Sequence, residues 1–192
     1  KITMAAERLY DSWAGRNPQW EIKYEDIIKT LCDYGKGESS LREARGKLFG
    51  AGYELYIMAF FIGLYFNQRK PLLADNTKRK GFGQPIQYWG NIESRMGRKA
   101  YPKIREYIFA ALIARTDIDF IALEKGDVTL RKVVDMLIQT MEEYANCGFK
   151  FIKDKIEDDP NYFYKETAFL EVFLSFEANN QEELDEEPES LD

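Results

Sequence analysis

The sequence contains no histidine. This absence excludes a Ser-His-Asp triad, a Cys-His pair and an imidazole general base. It also removes the usual ligand sets for zinc, copper and non-haem iron. Catalysis would have to rest on carboxylate, lysine, arginine, tyrosine or cysteine side chains, and metal binding on oxygen ligands of the magnesium or calcium kind. We therefore assign no catalytic residue, no metal ligand and no cofactor, and we favour a non-enzymatic protein.

Cysteine is scarce as well. The two cysteines, Cys32 and Cys147, lie more than a hundred residues apart and form no CxxC pair. Isolated cysteines are typical of reduced thiols in a cytoplasmic protein. The first residues, KITMAAERLYDSW, lack the apolar core of a signal peptide and indicate an amphipathic helix. We expect a cytoplasmic location.

Long apolar runs are also missing. The longest apolar run covers residues 55–66, between Glu54 and Asn67, whereas a membrane-spanning helix needs about twenty apolar residues. The stretch therefore predicts the central helix of a bundle. We expect no membrane among the partners of the protein. Glu54 has two interpretations. It faces solvent near the helix N-terminus, or it is buried and pairs with a base of the preceding segment, Arg42, Arg45 or Lys47.

Helical periodicity runs through most of the chain, and no pair of strands is predicted. We expect an all-α, single-domain bundle of about seven to nine helices. The expected helical ranges are 2–13, 20–31, 41–49, 53–67, 85–96, 102–112, 119–125, 130–157 and 163–176. A loop of about fifteen residues separates two of them, from Lys70 to Gln84.

Four positions carry local predictions. Gly63 and Gly148 lie inside helices, which indicates that another helix or backbone crosses closely at Gly63 and that Gly148 marks a bend or a close crossing. Asp117 is expected to cap the helix at 119–125, although Asp117 and Asp119 together could hold magnesium. Thr129 is expected to cap the longest helix.

Charge is unevenly distributed. Residues 177–192 hold eight acids and no base, so the net charge of −6 becomes about +2 for residues 1–176. We predict a helical domain over 1–176 and a disordered acidic tail over 177–192. The range 65–105 holds ten bases and two acids, Asp75 and Glu93. We call this range the basic segment.

The basic segment has two interpretations. Its cations are ordinary solvated charges, or they converge on one face with Phe82, Tyr88, Trp89 and Tyr101 among them. Cations neutralise phosphates and aromatic rings stack on bases, so a convergent face would suit nucleic acid or an acidic protein partner. The candidate binding residues are Arg69, Lys70, Lys78, Arg79, Lys80, Trp89, Arg95, Arg98, Lys99 and Lys103.

Two resemblances add expectations. The stretches FGAGYELYIMAFFIGLYF, ARTDIDFIALEKG and DPNYFYKETAFL resemble an uncharacterised bacterial family. Some of its members are labelled glucoamylase-type glycoside hydrolases, whose two catalytic-glutamate motifs are not found here. The pattern Phe49, Tyr53, Ala59, Gly63 followed by residues 69–72 resembles a segment of small proteins that accompany Dnd-type DNA phosphorothioation and restriction systems.

The resulting hypothesis is a non-enzymatic accessory protein of a bacterial DNA-associated system of the modification or defence type. It would bind nucleic acid or an acidic partner through the basic segment. Two alternatives stay open: a scaffold that binds only protein, and a carboxylate-based enzyme resembling glycoside hydrolases. The oligomeric state is left open.

Overall fold

A computed structural model of the protein describes residues 2–32, 47–91 and 99–174. Helices dominate these ranges and pack around one apolar core, which confirms the predicted all-α, single-domain class. The helices are α1 (Ile2–Ala14), α2 (Glu25–Leu31), α3 (Gly52–Tyr65), α4 (Ile104–Arg115), α5 (Phe120–Lys125) and α6 (Leu130–Asp158). A further helical stretch covers residues 168–174.

Helix α3 is the centre of the fold, as its apolar sequence predicts. Leu55, Tyr56, Phe60 and Ile62 are completely buried, because α3 packs along α6 and also contacts α2. Burial of a large apolar side chain stabilises a fold by about 1.5–3 kcal/mol, so this helix supplies much of the driving force for folding. Among the described residues, no helix combines the length and apolar character needed to cross a membrane.

Two glycines set the distance between α3 and α6. A Cβ atom on Gly63 would overlap the backbone carbonyl of Tyr144, and one on Gly148 would overlap the carbonyl of Ala59. Each helix thus places a glycine, which has no side chain, against the backbone of the other. The close crossing predicted at Gly63 is confirmed, and of the two alternatives for Gly148 the structure shows the close crossing; the cause is direct backbone contact between the two helices.

The ends of α5 and α6 follow side-chain capping rules, with one correction. The Thr129 hydroxyl accepts the N–H of Lys132 at 3.3 Å, as predicted. The cap of α5 is Asp119, whose Oδ1 accepts the N–H of Ala122 at 2.8 Å, so the prediction of Asp117 is wrong. Gly126 ends α5 in the left-handed conformation, with φ at 85°.

A small antiparallel sheet was not predicted. Strand β1 (Gln19–Glu21) pairs with strand β2 (Arg79–Gly81), so that Trp20 lies opposite Lys80. The helix expected over 20–31 consequently begins only at Glu25, after a 3₁₀ turn. Three-residue strands are too short to show alternation, and their partners lie some sixty residues apart, so local periodicity could not reveal them.

The prediction of a helix over 85–96 is wrong for the described residues 85–91. A single 3₁₀ turn covers Ile86–Tyr88, Trp89 is extended, and Gly90 has φ of 78°. The N–H of Ile86 donates to the carbonyl of Arg16, which ties this turn to the end of α1. The helix expected over 41–49 is wrong for residues 47–49, which are not helical, and Phe49 forms an isolated bridge with Cys32. Its remainder at 41–46 and the predictions for 92–96 and for the tail at 177–192 lie outside the described residues.

Candidate functional site

The basic segment begins where the chain leaves α3. Asn67 adopts a left-handed φ of 51° and turns the chain back along α6. The guanidinium of Arg69 then meets Glu143, with Nε to Oε2 at 2.8 Å and Nη2 to Oε2 at 2.7 Å. Arg69 Nη2 also donates to the Thr140 hydroxyl at 3.3 Å, and the N–H of Lys70 donates to the Glu143 carbonyl at 3.0 Å. Arg69 therefore fastens the loop to α6.

A buried carboxylate holds the next part of the loop. Glu21 is 1% exposed, and its Oε1 accepts the N–H of Leu73 and the Nδ2 of Asn146, both at 3.0 Å. Its Oε2 forms an ion pair with Lys23. Burial opposes the charge, but Lys23 and the two N–H donors outweigh burial and keep the pKa of Glu21 below its ordinary value.

Asn146 completes this anchor. Its Nδ2 also lies 3.1 Å from the carbonyls of Lys70 and of Pro71. One amide on α6 thus joins the buried Glu21 of β1 to the backbone of the loop at residues 70–71. Neither Glu21 nor Asn146 was singled out in the sequence, because their positions resemble those of ordinary solvent-facing polar residues.

Two more cations, on strand β2, are bound by other groups of the protein. Lys80 Nζ lies 3.0 Å from Glu25 Oε1 and 6.0 Å from the centre of the Trp20 ring. Lys80 and Lys29 together lower the pKa of the Glu25 carboxyl. Arg79 Nε donates to the carbonyl of Leu73. We call Arg69, Arg79 and Lys80 the anchoring cations, because their donors are bound within the protein.

Three other candidates face outward. Lys78, Lys99 and Lys103 are exposed, and none of them forms an ion pair or side-chain hydrogen bond with another described residue. We call them the outward lysines. Lys78 ends the 3₁₀ turn Asn76–Lys78, whose cap Asp75 accepts the N–H of Thr77 at 2.9 Å.

The remaining cations of the segment fall into other groups. Lys70 is partly buried and forms no ion pair with another described residue. Arg105, beyond Lys103, donates to the carbonyls of Gln87 and Pro102, which ties the start of α4 to the turn at 86–88. Arg95 and Arg98 lie outside the described residues.

Trp89 is not available to stack on a base. Its side chain is fully buried, its ring stacks on Tyr53 at 5.4 Å with an interplanar angle of 10°, and its Nε1 donates to the Gln84 carbonyl at 3.0 Å. The prediction that Trp89 contacts a ligand is therefore corrected: Trp89 belongs to the core. Phe82 packs on Trp20, whereas Tyr88 is 49% exposed.

Glu54 is a structural anchor of a different part of the segment. The carboxylate accepts the N–H of Gly50 and the hydroxyl of Tyr101, each at 2.6 Å. Burial and the adjacent Glu54 carboxylate raise the pKa of Tyr101. Lys47 donates instead to the carbonyls of Lys29 and Thr30, and the other proposed partners, Arg42 and Arg45, lie outside the described residues.

Two glutamates are adjacent on α6, and the carboxylate of each is bound by another group of the protein. Glu143 binds Arg69, and Glu142 Oε1 accepts the N–H of Gln19 at 2.7 Å. Burial raises the pKa of Glu142 above its ordinary value despite that hydrogen bond. Among the described residues, no group of three or more cysteine, aspartate or glutamate side chains could hold a metal ion. Asp117 and Asp119 therefore belong to no such group.

A groove of about 500 Å³ opens between α3, α4 and the helical stretch 168–174. We call it the apolar groove. Its lining is apolar except for Arg115, whose Nη1 donates to Asn67 Oδ1 at 3.2 Å. The lining residues are Met58, Phe61, Leu64, Tyr65, Arg115 and Phe173.

Comparison of the chain with protein-family models, curated proteins and solved structures finds no significant match.

Proposed function

We propose that this protein is a non-enzymatic accessory of a bacterial DNA-associated system and that it binds nucleic acid through the outward lysines. The observation that carries this proposal is the division of the basic segment into two groups. The anchoring cations are neutralised or hydrogen-bonded within the fold, whereas Lys78, Lys99 and Lys103 have no acidic partner among the described residues.

This division favours a binding surface over ordinary solvated charge for a physical reason. A flexible loop would lose conformational entropy on binding, whereas a loop already fixed by Arg69, Glu21 and Asn146 loses little. Lys78 lies on this loop, and Lys99 and Lys103 precede α4; all three can contact phosphates without first breaking an ion pair with another described residue. The short resemblance to proteins that accompany DNA phosphorothioation systems agrees with a phosphate-bearing partner.

The test is equilibrium binding of the full chain to a labelled DNA duplex and a matched single strand, measured by fluorescence anisotropy. We expect binding at about 50 mM salt that weakens steeply as salt is added, because each phosphate contact releases a condensed counterion. The triple variant Lys78→Gln, Lys99→Gln, Lys103→Gln should flatten the salt slope by about one unit per lost contact, and so by up to about three.

A matched triple variant separates this surface from net charge. This control variant removes the same charge from α5 and α6 through the substitutions Lys125→Gln, Lys132→Gln and Lys153→Gln. It should bind DNA nearly as well as the wild type. Equal weakening by both triple variants would contradict a specific surface, and no binding to either DNA at about 50 mM salt would reject the proposal. Tyr88→Ala should weaken only single-strand binding, by about 1–3 kcal/mol, if its exposed ring stacks on a base.

A protein-only scaffold is the second candidate, and large exposed apolar side chains favour it. Tyr107 of α4 and Phe120 and Ile121 of α5 are 64%, 48% and 67% exposed. Exposed apolar patches often mark contacts with other proteins. The scaffold would take precedence if DNA binding failed while Ile121→Lys, but not Lys125→Gln, abolished copurification of one defined partner protein.

A further inference from the structure

The last described helical stretch is fixed against the apolar groove. Phe173 forms one wall, and its ring meets the Tyr65 ring edge-on at 4.9 Å. The Tyr65 hydroxyl donates to the carbonyl of Phe173 at 3.0 Å. The chain therefore passes from the described residues into residues 175–192 directly beside the groove.

The residues that follow include a suitable apolar side chain. Phe176 is the single aromatic residue in 175–192, and it comes three positions after Phe173. Three residues of any conformation span at most about 10 Å. The groove is therefore within reach of Phe176.

Charge complementarity points to the same occupant. Arg115 is the charged residue of the groove lining, and its guanidinium has five N–H donors, of which one binds Asn67. Phe176 is followed at once by Glu177, the first of eight acids with no base in 177–192. An aromatic side chain next to an acid matches an apolar groove with an arginine at its edge.

We propose that the apolar groove binds Phe176 of the same chain, with the Glu177 carboxylate facing Arg115. This intramolecular docking does not depend on nucleic-acid binding. If the proposed function also holds, docking brings the acidic residues towards Asn67 and the start of the basic segment. There they compete at high effective concentration with a polyanion.

The first experiment is hydrogen exchange of the full chain carrying Phe176→Ser, with Leu191→Ser as the matched control in the same segment. In Phe176→Ser, amides of α3 and α4 beside the groove should exchange at least about tenfold faster, as expected for losing one partly buried aromatic side chain. Leu191→Ser should exchange as wild type. Exchange in α1, which does not line the groove, should be equal in all three proteins and reports intact folding.

The second experiment supplies the segment in trans. A labelled peptide of residues 174–192 should bind the full-length Phe176→Ser variant saturably, and a peptide carrying Phe176→Ser should not. Arg115→Gln, added to that variant, should weaken peptide binding by several-fold. Equal exchange in Phe176→Ser and Leu191→Ser, or no binding of the peptide, would overturn the proposal. Groove protection that rises with protein concentration would also overturn it, because the occupant would then be a second copy.

Discussion

The fold shifts the pKa values of two glutamates, Glu21 and Glu142, in opposite directions. The two glutamates lie on neighbouring elements, β1 and α6; Glu21 is buried and Glu142 is partly buried. Glu21 has Lys23 and two N–H donors, which keep its pKa low, whereas Glu142 has one N–H donor and its pKa is raised by burial. The charged form of Glu21 is therefore favoured by folding, and the charged form of Glu142 is disfavoured.

These opposite shifts predict opposite pH dependence. The contribution of Glu21 to the free energy of unfolding is present above its unfolded pKa of about 4.5 and is lost as pH falls through its lower folded pKa. Glu21→Gln should lower the free energy of unfolding at pH 7 by about 1.5–3 kcal/mol, the range for hydrogen bonds to charged groups. The difference from wild type should shrink below about pH 4. Urea unfolding across pH measures both effects.

Glu142→Gln is the matched comparison. Its contribution is complete below about pH 4.5 and is lost as pH rises through the raised folded pKa, because charging this partly buried carboxylate costs stability. The glutamine oxygen can still accept the N–H of Gln19. The variant should therefore be near neutral or stabilising at pH 7 and relatively less stable at pH 4. Equal losses at pH 7 for Glu21→Gln and Glu142→Gln would contradict this distinction.

At the scale of elements, the crossing of α3 and α6 decides the architecture. Helix propensity alone favours alanine over glycine inside a helix by about 1 kcal/mol. Here each glycine faces a backbone carbonyl of the other helix, which cannot move aside as a flexible side chain would. Packing therefore outweighs propensity at Gly63 and Gly148.

Gly63→Ala should consequently destabilise the protein by about 1–3 kcal/mol, although alanine is the better helix former. Gly15→Ala is the control, because its added Cβ would meet Asp11 and Ser12 carbonyls at ordinary distances of 3.5 and 3.8 Å. That control should be neutral or stabilising by up to about 1 kcal/mol. Chemical unfolding of both variants measures the difference, and a Gly63→Ala variant as stable as wild type would contradict the close crossing.

At the scale of the whole molecule, charge is separated along the chain. Residues 177–192 carry eight acids, and the rest of the chain is about +2. The proposed anchor of the C-terminal segment is Phe176, which lies before these acids. The acids themselves would contribute to stability only through exposed ion pairs, each worth at most about 1 kcal/mol.

Deleting residues 177–192 should therefore shift the thermal midpoint by less than about 4 °C, the change that about 1 kcal/mol causes in a chain of this size. Under the proposed function the same deletion should strengthen DNA binding at low salt, because an intramolecular competitor is removed. A full-length chain with the eight acids changed to their amides should match the deletion. A midpoint loss of ten degrees or so would instead mean that the acidic residues themselves pack on the domain.

Much of the architecture follows from local patterns. Helix α3, the Thr129 cap of α6, the end of α5 at Lys125 and the crossing at Gly63 were predicted, since helical period and capping depend on residues within a few positions of one another. Strand β1 and the turn at 86–88 were missed for the opposite reason. Both are held by partners far along the chain, β2 and the carbonyl of Arg16.

The sequence by itself determined the all-α class, the absence of imidazole chemistry and the concentration of cations between residues 65 and 105, because these are matters of composition and short-range period. Only the tertiary structure decided which of those cations are bound by other groups of the protein. Arg69 meets Glu143 across 74 positions and Trp89 enters the core beside Tyr53, whereas Lys78 stays exposed. Charge is a property of each residue, but its availability depends on what folding brings beside it.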